Sequence, residues 1–154
     1  MVLGGYGEVG LAVCCKLLQE APRALIITSL KKEEALAAVQ KLHSEVPDKT
    51  RLTPVYGNLF VRWSLKDTPR DKLQLTPQYQ RWLAEDALEE LDEKILTSST
   101  LFKVIARHRP EIIIDCINTA TALAYQNIYQ SYREVSKALK TPKDVNGLTI
   151  SIYH

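Results

Sequence analysis

The sequence predicts an α/β fold, a three-layer doubly wound parallel sheet, and three observations predict it. Strand-length apolar runs alternate with helix-period segments along the chain. A glycine-rich turn joins the first strand to the first helix. A proline falls within the third strand, which fits the edge position that this strand takes in the order 3-2-1-4-5.

Met1-Val2-Leu3 is the short apolar segment that leads into Gly4-Gly5-Tyr6-Gly7. Val9, Val13 and Leu17 then recur at helical spacing, and Pro22 stops the helix. Ala24 to Thr28 reads as a buried strand, with Ser29 as the N-cap of a helix over Lys32 to His43 whose inner face carries Leu36, Val39 and Leu42. Arg51 to Tyr56 is the third strand, interrupted by Pro54, which cannot donate to a ladder. Phe60 to Asp86 is expected to be an irregular insertion, with helix starts at Thr68-Pro69 and Thr76-Pro77. One long helix is expected from Asp86 to His108, its stripe formed by Leu88, Leu91, Ile95, Phe102 and Ile105 with Ser98 and Ser99 alongside, until Pro110 ends it. Glu111 to Ile117 is nearly continuous in apolar residues, as a central parallel strand covered on both faces would be. A helix over Ala122 to Leu139, a turn at Asn146-Gly147 and a last strand over Leu148 to Tyr153 complete the alternation.

The 154 residues form a single domain by length. With 45% hydrophobic and 25% charged residues, the composition is that of a globular chain able to bury a core without a disulfide or metal. The net charge of +2 comes from interspersed signs, which argues against a nucleic-acid surface. No apolar run approaches the roughly 20 residues of a membrane span. Gly4, Gly5 and Gly7 interrupt any leader-like apolar core, and no basic segment precedes them. Cys14, Cys15 and Cys116 show neither a paired framework nor zinc spacing, so they read as reduced core thiols of a cytoplasmic protein.

Gly5-Tyr6-Gly7-Glu8-Val9-Gly10 fits G-x-G-x-x-G, the phosphate turn of Rossmann-like dinucleotide-binding domains. The first glycine permits the tight turn, the second lets a pyrophosphate reach the backbone, and the third lets helix and strand pack closely. Free N–H groups and the positive end of the helix dipole point toward such phosphates. Glycine turns without a ligand are common, so the pattern gains its weight from the strand before it and the helix and strand after it. Flavin or S-adenosylmethionine are other occupants of such a turn.

The end of the second strand bears on the cofactor. NAD enzymes place an acid there, about 20 residues after the motif, to hold the ribose 2′-hydroxyl. Here stand Thr28, Ser29, Leu30, Lys31 and Lys32, with no acid before Glu33. Ser29 can hydrogen-bond a 2′-phosphate and Lys31 or Lys32 can neutralise it, so NADP is favoured over NAD. The plainer alternative is a pair of solvated lysines at a helix start.

With these residues, Gly57-Asn58-Leu59 and Asn118-Thr119-Ala120, the chain resembles the N-terminal, cofactor-binding part of a short-chain dehydrogenase/reductase, closest to the extended, epimerase-like branch. The resemblance implies that Asn58 and Leu59 touch the adenine and that Asn118, Thr119 and Ala120 lie along the ribose and nicotinamide. It also implies a cofactor-binding set that includes Gly4, Tyr6, Glu8 and Val9 of the turn, an unidentified small-molecule substrate and, through helix bundling, a homodimer. The family's catalytic Tyr-x-x-x-Lys is absent, because none of the tyrosines at 6, 56, 79, 125, 129, 132 and 153 is followed four residues later by lysine. With the opening strand so short as well, the chain reads as a piece of a longer protein whose catalytic half lies past His154. A non-catalytic NAD(P)-binding regulatory or interaction module is the alternative.

The remaining constellations have plainer readings. His43, His108 and His154 lack ligand spacing, and His108 suits the end of its helix as a surface cation. Asp115 reads as a buried hydrogen-bonding group in the fourth strand. Tyr125, Tyr129 and Tyr132 form a core or interface stripe, and the acids from Glu85 to Glu93 form a solvated face. Ser151 reads as an ordinary strand residue, although the resemblance also allows a substrate-binding serine in that strand.

Overall fold

The computed structural model describes residues 1–47, 50–117, 132 and 137. Strands β1 (Val2–Leu3), β2 (Ala24–Ser29), β3 (Arg51–Tyr56) and β4 (Ile114–Asp115) form a sheet of order β3-β2-β1-β4. Every pairing in it is parallel. The fold is therefore α/β, as the alternation of elements predicts. The expected fifth strand, over 148–153, lies outside the described residues.

Strand β2 is the backbone of this sheet. Ala24-Leu25-Ile26-Ile27-Thr28-Ser29 is apolar and β-branched until its last residue, and is buried from Leu25 onward. It pairs with β3 along its whole length, from Ala24 opposite Arg51 to Ser29 opposite Tyr56. Pro54 lies opposite Ile27, and β3 occupies the sheet edge that this proline requires. The strand β4 comprises only two residues, tied to β1 by Ile114 N–H donating to Met1 O at 2.9 Å and Cys116 N–H to Leu3 O at 3.0 Å. Contrary to the expectation for a central strand, Ile112 and Ile113 are exposed, and Asp115 is an exposed residue whose Oδ1 accepts from Ile117 N–H.

Alternate strand residues serve opposite faces. On one face Val2, Leu25 and Ile27 pack with Cys14 and Leu18 of helix α1 (Glu8–Leu18) and Ala38 and Leu42 of helix α2 (Lys32–Leu42). On the other, Met1, Leu3 and Ile26 pack with Leu59 and with Val104 of a later helix. Helix α1 is rotated by one residue from the expected stripe, whereas α2 keeps Leu42 buried and Val39 partly packed on the core, as expected, but turns Leu36 outward. In α1 the buried line is Gly10, Cys14 and Leu18, while Val9 is exposed. In α2 it is Ala35, Ala38 and Leu42, with Leu36 outside, because small residues let the helix lie close on the sheet. Burial, with Cys116 and Cys15 nearby, pushes the Cys14 thiol up to about 11.

The stretch after β3 is more regular than expected. A 3₁₀ turn over Trp63–Leu65 leads to α3 (Arg70–Leu75) and α4 (Pro77–Leu88). Val61, Leu65 and Leu73 form a small core of their own with Tyr79, Trp82 and Leu83. Pro77 opens α4 at its first turn, as the sequence predicts, but Thr76 makes no side-chain cap. The single helix expected over 86–108 is three helices: α4 ends at Leu88, and α5 (Glu93–Ser98) and α6 (Thr100–His108) follow. Asp92 caps α5 by accepting from Ile95 N–H at 2.6 Å, and Ser99 caps α6 by accepting from Phe102 N–H at 3.4 Å.

The chain breaks at Ser99 because tertiary partners claim the backbone there. Ser99 bridges Arg62 in antiparallel fashion, and Thr100 and Leu101 donate to the carbonyls of Val61 and Leu59. The expected helix over 122–139 and the turn at 146–147 lie outside the described residues, apart from Tyr132 and Lys137, both helical. Tyr132 donates its hydroxyl to Glu89 Oε1 at 3.5 Å. No helix among the described residues is long and apolar enough to cross a membrane.

Candidate functional site

The glycines of the turn differ in what their positions demand. Gly4 has φ +71°, a left-handed conformation that L side chains rarely adopt, so the tight turn is made here rather than at Gly5. A Cβ on Gly5 would approach Ile27 Cγ2 to 2.7 Å. A Cβ on Gly10 would fall 2.2 Å from Gly4 O and 2.8 Å from Gly5 Cα, so only glycine lets α1 start this close to the strand end. Gly7 is different, because a Cβ there would meet only Gly4 O at an ordinary 3.5 Å.

Thr28, at the end of β2, clamps the turn. Its Oγ1 accepts from Gly4 N–H at 3.3 Å and its carbonyl accepts from Gly5 N–H at 2.8 Å. It is almost wholly buried, so it positions the turn and presents no side chain to a ligand. Gly7 is the N-cap of α1 and supplies no side chain, leaving the amides of the first turn, Glu8 to Gly10, without intrahelical acceptors. Tyr6, Glu8 and Val9 surround this helix start and are exposed.

The end of β3 joins the same surface. Gly57, at φ +116°, donates its N–H to Ser29 O at 3.1 Å and Leu30 O at 3.2 Å. Asn58 forms a local turn, with Oδ1 accepting from Phe60 N–H at 3.0 Å. Leu59 is 4% exposed and packs with Met1, Leu3, Ile26 and Val104, so its side chain is floor rather than contact surface. Thus the strand ends of β1, β2 and β3 gather Gly4 to Gly10, Thr28 to Lys31 and Gly57-Asn58. Asn118, Thr119 and Ala120 lie outside the described residues, although Ile117 reaches the turn, its Cγ1 3.0 Å from a Cβ built on Gly4.

Three features were not evident in the sequence. Ser29 does not cap α2: Lys31 holds the N-cap position, and the Ser29 hydroxyl instead donates to Glu34 Oε2 at 2.6 Å. Glu34 also faces Lys31, with Nζ to Oε1 at 3.9 Å. Beyond β3, lysines interleave with aromatic rings: Lys66 Nζ lies 5.0 Å from the Tyr56 ring centre and 5.4 Å from that of Trp63, and Lys32 lies 5.9 Å from Tyr56. Lys32 and Lys66 come to Tyr56 from opposite sides in sequence, so their meeting carries no local signal.

Two clefts open elsewhere. A groove of about 470 Å³ is lined by Arg62, Glu85, Glu89, Glu90, Asp92 and Lys94, and its predominantly acidic wall suits no phosphate. A smaller apolar cleft of about 200 Å³ involves Leu59, Phe60, Leu91, Ile95 and Leu96. Residues of the glycine turn line neither of these two clefts. Comparison with protein-family models, curated proteins and solved structures gives no match for this chain.

Proposed function

We propose that this chain binds a dinucleotide, NADP(H) ahead of NAD(H), across the carboxyl ends of its parallel strands. In this reading it is the cofactor-binding part of an oxidoreductase or epimerase resembling the short-chain dehydrogenases/reductases, with the full doubly wound order 3-2-1-4-5. The observation that carries the proposal is the division of labour among the glycines. Gly10 is forced by close packing, Gly4 by a left-handed turn, and Gly7 by neither. A glycine that neither close packing nor a left-handed backbone requires, at the exposed N-cap of a helix, leaves room for a phosphate to approach the backbone.

The chemistry divides accordingly. The nicotinamide would carry the hydride, and the chain would hold and orient the cofactor. The Glu8 to Gly10 amides would face the pyrophosphate, and the ends of β2 and β3 the adenosine. The absence of Tyr-x-x-x-Lys favours, as a second reading, a module that binds the cofactor without turning it over.

Fluorescence titration of the purified chain with NADPH, NADH, a flavin and S-adenosylmethionine tests this directly. Saturable binding of a nicotinamide dinucleotide, tighter for NADPH, is expected. A chain that binds neither NADPH nor NADH overturns the proposal, and equal affinity for both removes the NADP preference alone.

A further inference from the structure

The two residues best suited to a 2′-phosphate, Ser29 and Lys31, both face one carboxylate. Glu34 Oε2 accepts the Ser29 hydroxyl at 2.6 Å, and Glu34 Oε1 lies 3.9 Å from Lys31 Nζ. Ser29 is 8% exposed, and Glu34 is the side-chain partner of its hydroxyl. Glu34 belongs to the first turn of α2, where a carboxylate is favoured by the helix dipole, and its side chain is only 28% exposed. The neighbouring cation Lys32 has its ammonium near the Tyr56 ring. A negative charge therefore stands at the tip of β2, although Thr28 to Lys32 contain no acid.

We infer that Glu34 is the specificity-determining residue for the ribose 2′ position in the dinucleotide site proposed above, on which this inference rests. A 2′-phosphate arriving at Ser29 and Lys31 must displace Glu34 from the hydroxyl or share the space with it, and two anions within hydrogen-bond distance repel. A 2′-hydroxyl meets the opposite situation, because the carboxylate can accept its proton while keeping Ser29 as a donor. The lysines thus favour NADPH, and Glu34 holds that preference down. A carboxylate five residues beyond Ser29 does what the missing acid at the strand end would do, reaching back from the helix.

The experiment compares dissociation constants for NADPH and NADH in the wild-type chain, Glu34→Gln, Glu34→Asp and Glu33→Gln. Glu33 is exposed and adjacent, so its variant makes the same change of net charge as Glu34→Gln. Glu34→Gln is expected to move the affinity ratio about tenfold toward NADPH, the size of losing one charged hydrogen-bond competitor. Glu34→Asp keeps the charge but shortens the reach, and is expected to move the ratio part of the way. Glu33→Gln is expected to change it less than about twofold, since an exposed charge is screened. Adding Ser29→Ala to Glu34→Gln should remove much of the gain, because the freed hydroxyl is then gone. An unchanged ratio in both Glu34 variants overturns the inference while leaving the dinucleotide reading intact. Equal shifts in Glu34→Gln and Glu33→Gln overturn it too, by assigning the effect to net charge. A wild-type chain that binds neither cofactor instead overturns the parent reading, and the inference with it. Should Glu34→Gln lose its thermal transition, Glu34→Asp carries the same test.

Discussion

Gly7 and Gly10 are the same residue type three positions apart, yet their substitutions should fail in opposite ways. A Cβ on Gly10 would stand 2.2 Å from a backbone oxygen, and neither helix nor turn can yield without moving β1. Gly10→Ala is expected to cost roughly 3 kcal/mol, read as a lowered urea midpoint. A Cβ on Gly7 meets nothing closer than 3.5 Å, and φ there is −61°. Gly7→Ala should therefore cost no more than about 1 kcal/mol, the smaller penalty of alanine in place of glycine at an N-cap, while weakening NADPH binding by about tenfold if a pyrophosphate rests on that backbone. Equal destabilisation by both would show that the turn is structural throughout. The sequence identifies these glycines by type and spacing, which is why the turn was legible. It does not reveal that Gly4 bears the left-handed φ, that Thr28 is a clamp, or that Leu59 is core, since each depends on a partner more than twenty positions away.

At the scale of elements, periodicity located the early strands and helices but not their rotation or breaks. The buried line of α1 runs Gly10, Cys14, Leu18 because Gly10 must face the turn, and helical spacing from Gly10 then fixes the rest. A stripe drawn through Val9, Val13 and Leu17 ignores that constraint. The expected helix over 86–108 fails for a related reason: an apolar stripe can continue across a joint whose backbone is turned by Asp92 and Ser99 caps. At the end of α6, His108 is not the surface cation expected. It is half-buried, and desolvation, then Arg107 and Arg51, hold its pKa below the ordinary value. The folded state thus binds fewer protons here than the unfolded chain, whose histidine titrates near about 6.5. Stability from the neutral ring is complete above that value and is lost as pH falls through the lower, folded one. His108→Gln is expected to flatten the decline in urea midpoint between pH 7 and pH 5 relative to the wild type. A decline of equal slope in both proteins would remove His108 as its source.

At the scale of the whole molecule, the chain divides its apolar residues between a large assembly and a small one. The parallel sheet is packed on both faces, with a cluster of Val2, Cys14, Leu18, Leu25, Ile27, Ala38 and Leu42 on one side alone. The segment from Val61 to Leu88 rests on Val61, Leu65 and Leu73. Charge holds much of it in place: the Arg62 guanidinium grips Asp86 with two nitrogens and reaches Glu85 at 3.0 Å, while lying 4.9 Å from the Trp82 ring centre. Arg62 and Asp86 are 14% and 16% exposed, so the pair is neither fully screened nor fully buried. A region with few buried apolar residues opens at a lower free energy than the sheet that carries it. Native-state hydrogen exchange should accordingly show α3 and α4 exchanging through a sub-global opening, while the amides of β2 await global unfolding. Asp86→Asn should lower protection across α3 and α4 by about 2 kcal/mol, a buried-pair loss discounted for partial exposure, and leave β2 unchanged. If α4 and β2 instead exchange at one common free energy, and lose protection together in Asp86→Asn, the segment is a cooperative part of the sheet domain, and the Arg62 pair supports the whole fold.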